Sequence, residues 1–300
     1  MTADATARQV GEFALISAVL RRLGSSPHVV LGPGDDAAVV AAPDGRVVVS
    51  TDVLVQDVHF RLDWSTAYDV GRKAAAVNLA DIAAMGAVGT ALVVGLAAPA
   101  DLPVAWALAL TDGLRDEASV VGASVVGGDL VRAEHIVISV TALGDLQGRA
   151  PVTRAGAQVG DLVVLAGALG RSAAGLALLR AGETEGPLVE AHRRPTPPYA
   201  LGPALAHAGA HAMCDVSDGL LADAGHLSAA SGVRLDLDEA DELFLTGGED
   251  HALLATLAPD AELPAGCRVI GTVLAGSGVT VAGQAWVPPE GGSAGWDHFA

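Results

Sequence analysis

The sequence predicts an α/β fold of two domains, and three observations support this prediction. Its 300 residues suit one large domain or two ordinary ones, and 51% of them are hydrophobic, so a sizeable core is available. β-Branched runs alternate with Ala-rich segments, which is typical of strands that alternate with helices. A polar, glycine-rich stretch at residues 144–161 interrupts this alternation once, after which it restarts. We therefore expect domains at residues 1–148 and 149–300.

The first half is expected to hold an N-terminal helix, four strands and two long helices. The N-terminal segment is amphipathic and its helix should end near Gly24. Ser65 or Thr66 can cap the next helix and Gly86 can end it, while Gly122 stops the helix after that. In the third strand, we expect the two glycines of VVGGD to form a turn. The expected strands are 45–55, 90–99, 123–131 and 135–145, and the expected helices are 65–87 and 101–122.

The second half repeats the alternation. Its expected elements are a strand at 161–169, a helix at 172–182, a proline-rich loop at 193–202, a strand–turn–helix unit at 213–232, a glycine turn with a strand at 245–259, and an irregular tail. The segment LAGALGRSAAG follows a strand but matches neither nucleotide-binding glycine pattern. We expect its glycines, Gly167, Gly170 and Gly175, to serve a tight turn and close helix packing.

Composition excludes several classes of function. The formal net charge is −18, so nucleic acids and anionic membranes are not expected partners. The longest apolar stretch, residues 85–100, is short for a bilayer span and contains three glycines, which favours a buried strand. The N-terminus carries Asp4 and Glu12 where a secretion signal would be basic, so we expect a cytoplasmic protein. Two cysteines make neither a disulfide framework nor a zinc site.

The chemistry of the sequence lies in a set of acids that follow glycines or β-branched runs. Asp35 and Asp36 occur side by side in LGPGDDAAVV. A single acid of this kind is usually a turn residue or a helix cap. Repeated delivery of carboxylates at strand ends instead predicts a site for a hard cation, and Mg²⁺ is the usual one when phosphate is also a ligand. The other acids of the set are Asp52, Asp81, Asp129, Asp215, Asp218, Glu249 and Asp250.

Three positions have a structural and a functional interpretation. Asp81 lies in an Ala-rich helix near Asn78 and Lys73, so it either bonds to one of them or binds metal. Lys73 is the only lysine, which follows either from composition bias or from a requirement at that position. Ser217 in CDVSDG is expected to cap the following helix, whose N-terminus is also a natural phosphate site.

Two aromatic side chains complete the list of candidates. His59 follows the strand that contains Asp52, although a lone histidine is more often structural than functional. Trp296 either anchors the C-terminal tail or offers its face to a flat ring. The sequence contains no H-E-x-x-H motif and no Cys/His cluster, so zinc chemistry is not expected. Its G-x-S-x-G match at residues 291–295 lies in the irregular tail rather than between a strand and a helix, so a serine nucleophile is not expected either.

Seven motifs, in this order, resemble the thiamine-monophosphate kinases, a family within the ATP-binding superfamily of aminoimidazole ribonucleotide synthetase and selenophosphate synthetase. They are LGPGDDAAVV, STDVLVQDVHF, KAAAVNLADIAAMGA, VVGGD, VTRAGAQVGD, CDVSDGLLADAGHL and TGGEDHALL. The resemblance extends from Gly11 to Trp296. It implies an N-terminal domain with a mixed sheet that pairs with its copy in a homodimer, and a C-terminal α/β domain that completes the active site.

The resemblance implies that the γ-phosphoryl group of ATP passes to thiamine monophosphate, which yields thiamine diphosphate and ADP. Several Mg²⁺ ions would be held by Asp36, Ser50, Thr51, Asp52, Asp81, Asp129, Asp215 and Asp218, with Asp35 as a turn or outer acid. ATP would contact Gly128, Asp129, Arg154 and Ser217, and the thiamine substrate would contact His59, Glu249 and Trp296. The tryptophan is a departure, because many relatives are expected to have tyrosine there.

The implied reaction needs no strong base, because a phosphate oxygen of the substrate is the nucleophile and is largely ionised at neutral pH. No residue suggests a covalent phosphoenzyme, which favours direct in-line transfer. Two alternatives stay open: an enzyme resembling aminoimidazole ribonucleotide synthetase, and a non-catalytic sensor of nucleotides or thiamine phosphates. Selenophosphate synthetase is disfavoured, since it needs a reactive cysteine near the N-terminus and the first cysteine here is Cys214.

Overall fold

The chain folds as two compact units that both combine sheets with helices. The computed structural model describes residues 5–33, 37–238, 241–287 and 295. The first unit comprises Met1–Ile82 and Val88–Gly148, and the second comprises Ala83–Ala87 and Arg149–Ala300. The prediction of a two-domain α/β fold is confirmed. Within the described part of the chain, no helix is long and apolar enough to cross a bilayer.

The first unit is built around a mixed sheet of four strands. Its elements are α1 (Ala7–Val10), α2 (Glu12–Leu20), β1 (Val29–Leu31), β2 (Val39–Val40), β3 (Val48–Val55), α3 (Ala67–Ala84), β4 (Val88–Ala98), α4 (Val104–Val120), β5 (Ser124–Arg132) and β6 (Val137–Asp145). The order of the main sheet is β3-β6-β4-β5. β6 pairs antiparallel with β3 and β4, whereas β4 and β5 are parallel. A separate antiparallel pair joins β1 to β2.

The two faces of this sheet have different surroundings, because successive side chains of a strand point to opposite faces. Leu54, Ile138 and Val140 are buried on the face that we call the inner face, where hydrogen bonds join β3 to α3. On the opposite, outer face, Val49 and Val53 of β3 are 59% and 44% exposed. The sheet therefore has a buried inner face and an outer face on which these valines are exposed in the described part of the chain.

The helices α3 and α4 approach each other so closely that both need glycine at the contact. A Cβ atom on Gly71 would lie 2.2 Å from the carbonyl oxygen of Leu110, and one on Gly113 would lie 2.1 Å from that of Tyr68. The N-terminus of α3 is capped as expected, since the Asp69 N–H donates to Thr66 Oγ1 (3.2 Å). Glycines with positive φ follow both helices at the predicted positions 86 and 122.

The second unit contains a seven-stranded sheet. Its elements are β7 (Leu162–Ala166), α5 (Arg171–Arg180), α6 (Pro187–Arg193), α7 (Leu201–His207), β8 (Ala212–Val216), α8 (Leu220–Ser231), β9 (Arg234–Leu237), α9 (Glu242–Thr246), β10 (Ala252–Leu257), β11 (Cys267–Leu274), β12 (Gly278–Val281) and β13 (Gln284–Ala285). The strand order is β13-β12-β9-β11-β7-β10-β8, and among these described strands the β12–β9 pair is parallel and the other pairs are antiparallel. β7, β10 and the edge strand β8 are buried along almost their whole length.

A hydrophobic cluster lies on each face of this second sheet. On one face, Leu165 and Val216 pack with Leu220 and Leu227 of α8. On the other face, strand residues such as Met213 belong to a second cluster that includes α7. Because both faces are covered, the strands need near-continuous apolar runs, and this explains why their sequences do not alternate with polar residues.

Several expectations about secondary structure are wrong. The N-terminal helix is broken at Gly11, whose φ of 78° separates α1 from α2. The glycines of VVGGD do not form a turn, because β5 continues to Arg132. Gly128 instead fits against β4, where a Cβ atom would lie 1.9 Å from the carbonyl oxygen of Val94. The short helices α6, α7 and α9 and the strands β1, β2, β9 and β11–β13 were not predicted.

Candidate active site

The first unit brings together three of the predicted metal ligands. Ser50 and Asp52 are two residues apart on β3, so both side chains lie on the inner face. Ser50 Oγ donates to Asp81 Oδ2, and the Asp52 N–H donates to Asn78 Oδ1 (2.9 Å). Asp36 lies outside the described residues. Among those described, no three His, Cys, Asp or Glu side chains are arranged to hold a metal ion.

The structure does not bring Thr51 to this group. The side chain of Thr51 lies on the outer face, where its Oγ1 is 2.8 Å from Thr141 Oγ1. A magnesium ion beside Ser50 and Asp52 would therefore be on the opposite side of the sheet from the Thr51 hydroxyl. Only a backbone atom of Thr51 could contribute to the same group in this chain.

Asp129 and Gly128 also lie apart from the Ser50–Asp81 group. They occur in the middle of β5, which is the edge strand opposite β3. The strand register aligns Asp129 with Gly95, Ser139 and Val53, so its side chain lies on the outer face. Three strand spacings separate β3 from β5, which amounts to about 14 Å along the sheet. The expectation that strand ends deliver these acids is wrong for Asp129 and also for Asp52, which lies in the middle of β3.

His59 lies in the loop after β3, and several hydrogen bonds fix its position. The Val55 N–H donates to His59 Nδ1 (3.0 Å), and the His59 N–H donates to the Val55 carbonyl (2.9 Å). Because Nδ1 accepts a hydrogen bond, the neutral ring carries its proton on Nε2. Lys73 Nζ donates to the His59 carbonyl oxygen (3.0 Å). The loop contains Asp57 with φ 64°, a left-handed conformation that is uncommon outside glycine.

In the second unit, the motifs CDVSDG and TGGEDH form a single structural feature. The Glu249 N–H donates to the Ser217 carbonyl (2.7 Å), and the His251 N–H donates to that of Val216 (3.0 Å). A Cβ atom on Gly248 would lie 2.5 Å from the Ser217 oxygen, so the two turns are in direct backbone contact. Glu249 and His251 both have positive φ, at 63° and 52°. Strained backbone of this kind is typical of functional sites.

Asp215 and Asp223 lie next to these turns. His251 Nδ1 is 3.1 Å from Asp215 Oδ2, and both side chains are buried. Asp223 Oδ2 accepts the backbone N–H groups of Ser217 (3.0 Å) and Asp218 (3.1 Å). Burial, together with the charge of Asp215, raises the pKa of Asp223 from 3.8 to about 7. The expected Ser217 cap is wrong, because α8 begins at Leu220 and Asp223 holds the preceding loop instead.

Glu249 and Asp250 connect this turn to α5 and α6. Asp250 Oδ1 accepts the Ser172 N–H (2.8 Å), and burial raises the pKa of this carboxyl. Glu249 Oε2 lies 3.5 Å from His192 Nδ1, which is 3.0 Å from Ser172 Oγ. A cavity of about 30 Å³ beside Asp250 is lined by Ala168, Arg171, Ala191, Pro195 and Thr196. The LAGALGRSAAG segment thus supports the turn through the N-terminus of α5. A Cβ atom on Gly170 would lie 2.9 Å from the Leu243 oxygen, so this glycine allows close packing, as expected.

The other predicted contacts of the second unit lie at its surface or outside the described residues. Arg154 is exposed. Burial raises the pKa of the Cys214 thiol well above its usual value, and the charge of Arg154 opposes this rise. Trp296 lies outside the described residues. Its neighbour Gly295 is described, and a Cβ atom there would lie 2.7 Å from the carbonyl oxygen of Asp218. The chain therefore passes the N-terminal end of α8 immediately before Trp296.

Sequence reasoning missed four residues that support the candidate site. Asp223 follows Asp218 by five residues in one motif, so its position in the first turn of α8 was a usable signal. His251 is the residue after Asp250 in TGGEDH, but nothing marks it as a partner of Asp215. Ser172 and His192 have no such signal, because the contact depends on a short helix, α6, that was not predicted.

Comparison with known families identifies the class of this protein. The model described as AIR synthase related protein, N-terminal domain, matches residues 34–146, and its C-terminal counterpart matches residues 158–284. The two matches together cover most of the chain. The protein is therefore an AIR-synthase-related protein, with the N-terminal match containing β3, α3 and β5 and the C-terminal match containing the two joined turns.

More similar relatives identify the family within this class. The thiamine-monophosphate kinase of Mycobacterium tuberculosis is 53% identical over 320 residues, which cover 99% of this chain and 94% of the relative. The crystal structure of thiamine-monophosphate kinase from Stenotrophomonas maltophilia K279a matches with a TM-score of 0.80 and 35% identity, covering 92% of this chain and 98% of that one. AaThiL complexed with AMPPCP and TMP matches with a TM-score of 0.76 and 32% identity, covering 97% and 98%. The chain belongs to the thiamine-monophosphate kinase family.

Proposed function

We propose that this protein transfers the γ-phosphoryl group of ATP to thiamine monophosphate, which yields thiamine diphosphate and ADP. The observation that carries the proposal is the near-full-length match to a thiamine-monophosphate kinase at 53% identity. A relative at 32% identity is complexed with AMPPCP and TMP, an ATP analogue and the proposed acceptor. The protein acts in the cytoplasm, where ATP is available.

Mg²⁺ is the metal that the available donors fit. Ser50 and Asp81 are joined by a hydrogen bond, and Asp52 lies on the same inner face, so oxygen is the donor atom in every case. Mg²⁺ in nucleotide enzymes is commonly bound by one or two carboxylates, several waters and the substrate phosphates. The small set of ligands formed by Ser50, Asp52 and Asp81 therefore suits a magnesium–nucleotide complex. When bound, Mg²⁺ neutralises charge on the transferring phosphoryl group.

Further ligands are proposed at positions that match the family motifs. Within the second unit, Asp215 and Asp218 would bind Mg²⁺, and within the first unit Asp36, Asp129 and a backbone atom of Thr51 would do so. Buried Asp215 already accepts from His251, which would hold its carboxylate in a fixed orientation. The Asp223 carboxylate keeps the Ser217–Asp218 backbone in place by accepting two N–H groups. These contacts support a preorganised loop next to the nucleotide.

The side chains around the substrates bind and orient phosphates. Arg154 offers a planar cation that can form two parallel hydrogen bonds to a phosphate, and Gly128 and Ser217 would contact ATP. His59 would donate from Nε2 to the phosphate of thiamine monophosphate, because Val55 occupies Nδ1. Glu249 and Trp296 would contact the thiamine part.

The reaction is a direct in-line transfer. An ionised phosphate oxygen of thiamine monophosphate forms the new P–O bond at the γ-phosphorus as the bond to the β-phosphate oxygen of ATP breaks. ADP leaves with the electron pair of that bond. No proton has to be removed from the nucleophile, so the protein supplies positioning and charge rather than a general base.

A homodimer formed through the outer face of the first sheet is the proposed assembly. Val49, Val53, Val93 and Val131 on this face are between 39% and 59% exposed, beside polar residues such as Asp129, and exposed apolar side chains on a sheet face support a pairing surface. The dimer also gives a reason for the position of Asp129, which lies on this same face and far from Asp52 of its own chain. A copy packed on the face could bring a partner's group to Asp129.

A single-turnover assay tests the proposed function. Purified protein, ATP, Mg²⁺ and thiamine monophosphate are mixed, and thiamine diphosphate is detected by chromatography. Free thiamine and formylglycinamidine ribonucleotide serve as parallel substrates, and EDTA replaces Mg²⁺ in one arm. We expect thiamine diphosphate only with the monophosphate and Mg²⁺. A protein that binds ATP but makes no product from any substrate would contradict the proposal and favour a sensor.

A further inference from the structure

The only lysine of the chain is buried beside the loop that carries His59. Lys73 lies in the second turn of α3 and is 3% exposed. Burial of a long cationic side chain is costly unless its ammonium group is hydrogen-bonded. Lys73 Nζ donates to the His59 carbonyl oxygen at 3.0 Å, across 14 residues of sequence. Lys73 therefore connects α3 to the loop that follows β3.

The contact belongs to a row of polar links between α3 and the β3 segment. Ser50 is linked to Asp81, Asp52 to Asn78, and the His59 carbonyl to Lys73. From Ser50 to His59 the residue numbers rise along β3 and its loop, while those of the partners on α3 fall from 81 to 73. The links therefore follow one another in order along one side of α3. The same helix thus holds the acid group at one end of the row and the histidine loop at the other.

The two ends of His59 are fixed by different groups. The Val55 N–H holds the ring by donating to Nδ1, while Lys73 holds the backbone by donating to the carbonyl oxygen. With both ends held, the direction of the Nε2–H group is restricted. A donor that is already oriented binds a phosphate without a further loss of conformational entropy.

We propose that Lys73 is a positioning residue for the thiamine-monophosphate phosphate: through the His59 carbonyl it fixes the direction of the Nε2–H donor. The inference rests on the proposed function, because it takes the phosphate contact of His59 from that proposal. Lys73 itself does not touch the substrate. Its loss should weaken binding of thiamine monophosphate and leave the nucleotide side unchanged.

Kinetics of Lys73→Met and Lys73→Arg test this role. For Lys73→Met we expect KM for thiamine monophosphate to rise about ten- to hundredfold, with KM for ATP unchanged. Lys73→Arg keeps a cationic donor and should recover part of the affinity. Arg72→Met is the matched control, because Arg72 is the neighbouring cation of the same helix and pairs with Glu117 of α4. The control should lose thermal stability without a change in either KM.

A second measurement needs no variant. Because Lys73 is the only lysine, protein labelled with ¹³C-lysine gives a single Cε–Hε signal that belongs to this side chain. We expect this signal to shift when thiamine monophosphate is added, with a midpoint at the Kd found by calorimetry. AMPPCP with Mg²⁺ should shift it less.

The outcomes separate failure of this inference from failure of the proposed function. If the wild-type protein makes no thiamine diphosphate, both fail together. If the wild-type protein is active but Lys73→Met has an unchanged KM for thiamine monophosphate, or matches Arg72→Met, the positioning role is wrong. An active protein whose lysine signal does not respond to thiamine monophosphate would also overturn it. A selective KM effect with a responsive signal supports it.

Discussion

Asp52 shows how one carboxylate can be prepared for a cation before the cation arrives. Its backbone N–H is held by Asn78, an amide that is completely buried and also donates to the Ala74 carbonyl (2.9 Å). Its side chain remains on the inner face beside Ser50 and Asp81. The bond to Asn78 is made by the backbone, so it orients Asp52 without using a carboxylate oxygen.

Asp52→Asn should lower turnover by about hundredfold or more while the fold is retained, because the amide keeps the shape but loses the charge that pairs with Mg²⁺. The measurements are single-turnover kinetics and far-ultraviolet circular dichroism. Asp63→Asn is the control, since Asp63 is an exposed acid that pairs with Arg61 outside the candidate site. Asp52→Asn with normal circular dichroism and near-normal turnover would exclude Asp52 as a ligand. Asp129→Asn is expected to behave like Asp52→Asn.

Asp223 makes the stability of the metal-free protein depend on pH. Its pKa is about 7 in the folded state and near 3.8 in the unfolded chain. Between these values the folded state keeps a proton that the unfolded state has lost, so the free energy of unfolding falls as pH rises through this window. Asp223→Asn removes this titration, and its amide oxygen can still accept from the loop.

In EDTA, wild-type protein should lose about 2 to 3 kcal/mol more unfolding free energy than Asp223→Asn between pH 5 and pH 8. Urea unfolding at both pH values measures this difference. Equal losses in the two proteins would show that Asp223 ionises at its ordinary pKa in the folded state.

At the scale of single elements, the contact between α3 and α4 limits what the sequence can vary. Gly71→Ala and Gly113→Ala each force a methyl group to about 2 Å from a carbonyl oxygen of the facing helix. The helices must separate, so we expect each variant to lose about 1 to 3 kcal/mol of unfolding free energy. Urea unfolding provides the measurement.

Gly225→Ala is the matched control for these variants. Gly225 lies within α8, and a Cβ atom there would have nothing within 4 Å. Alanine has the higher helix propensity, so this change should add about 0.5 to 1 kcal/mol. A loss at Gly225 equal to that at Gly71 would mean that helix glycines matter for a reason other than close packing.

The elements that sequence predicted well are those with a strong periodic pattern and a clear stop. α3 and α4 were predicted because the cap of α3 and the glycine that follows each helix are local signals. α6 and α9 have seven and five residues, which is too short for a helical period to be visible. The glycines inside β5 were wrongly expected to form a turn, because the fit of Gly128 against Val94 depends on a neighbouring strand that a local pattern does not reveal.

The candidate site was predictable as a set of residue types and motifs, but not as a geometry. The sequence identified Asp52, Asp81 and Asp129 together, yet the strand order puts Asp129 at the opposite edge of the sheet and on its other face. Strand order is a long-range property that motif spacing does not contain. The link between the CDVSDG and TGGEDH turns is likewise made by non-local backbone hydrogen bonds.

At the scale of the whole molecule, the outer face of the first sheet predicts self-association. Val93 lies on β4, one of the two central strands, and is 39% exposed, although central sheet positions are usually covered. If two copies pack through this face, Val93→Lys puts a cation into an apolar interface in both protomers. The variant should be a monomer in analytical ultracentrifugation at concentrations where the wild-type protein is a dimer.

Val120→Lys is the control for this change, because Val120 is 61% exposed at the end of α4 and does not belong to the sheet. It should leave the dimer intact. If Asp129 works only next to a copy of the chain, the monomeric Val93→Lys protein should also lose turnover, and activity should return as protein concentration rises. A wild-type protein that is fully active as a monomer would contradict the proposed dimer. Asp129 would then have to act without a partner subunit, although it lies on the outer face and Asp52 on the inner face.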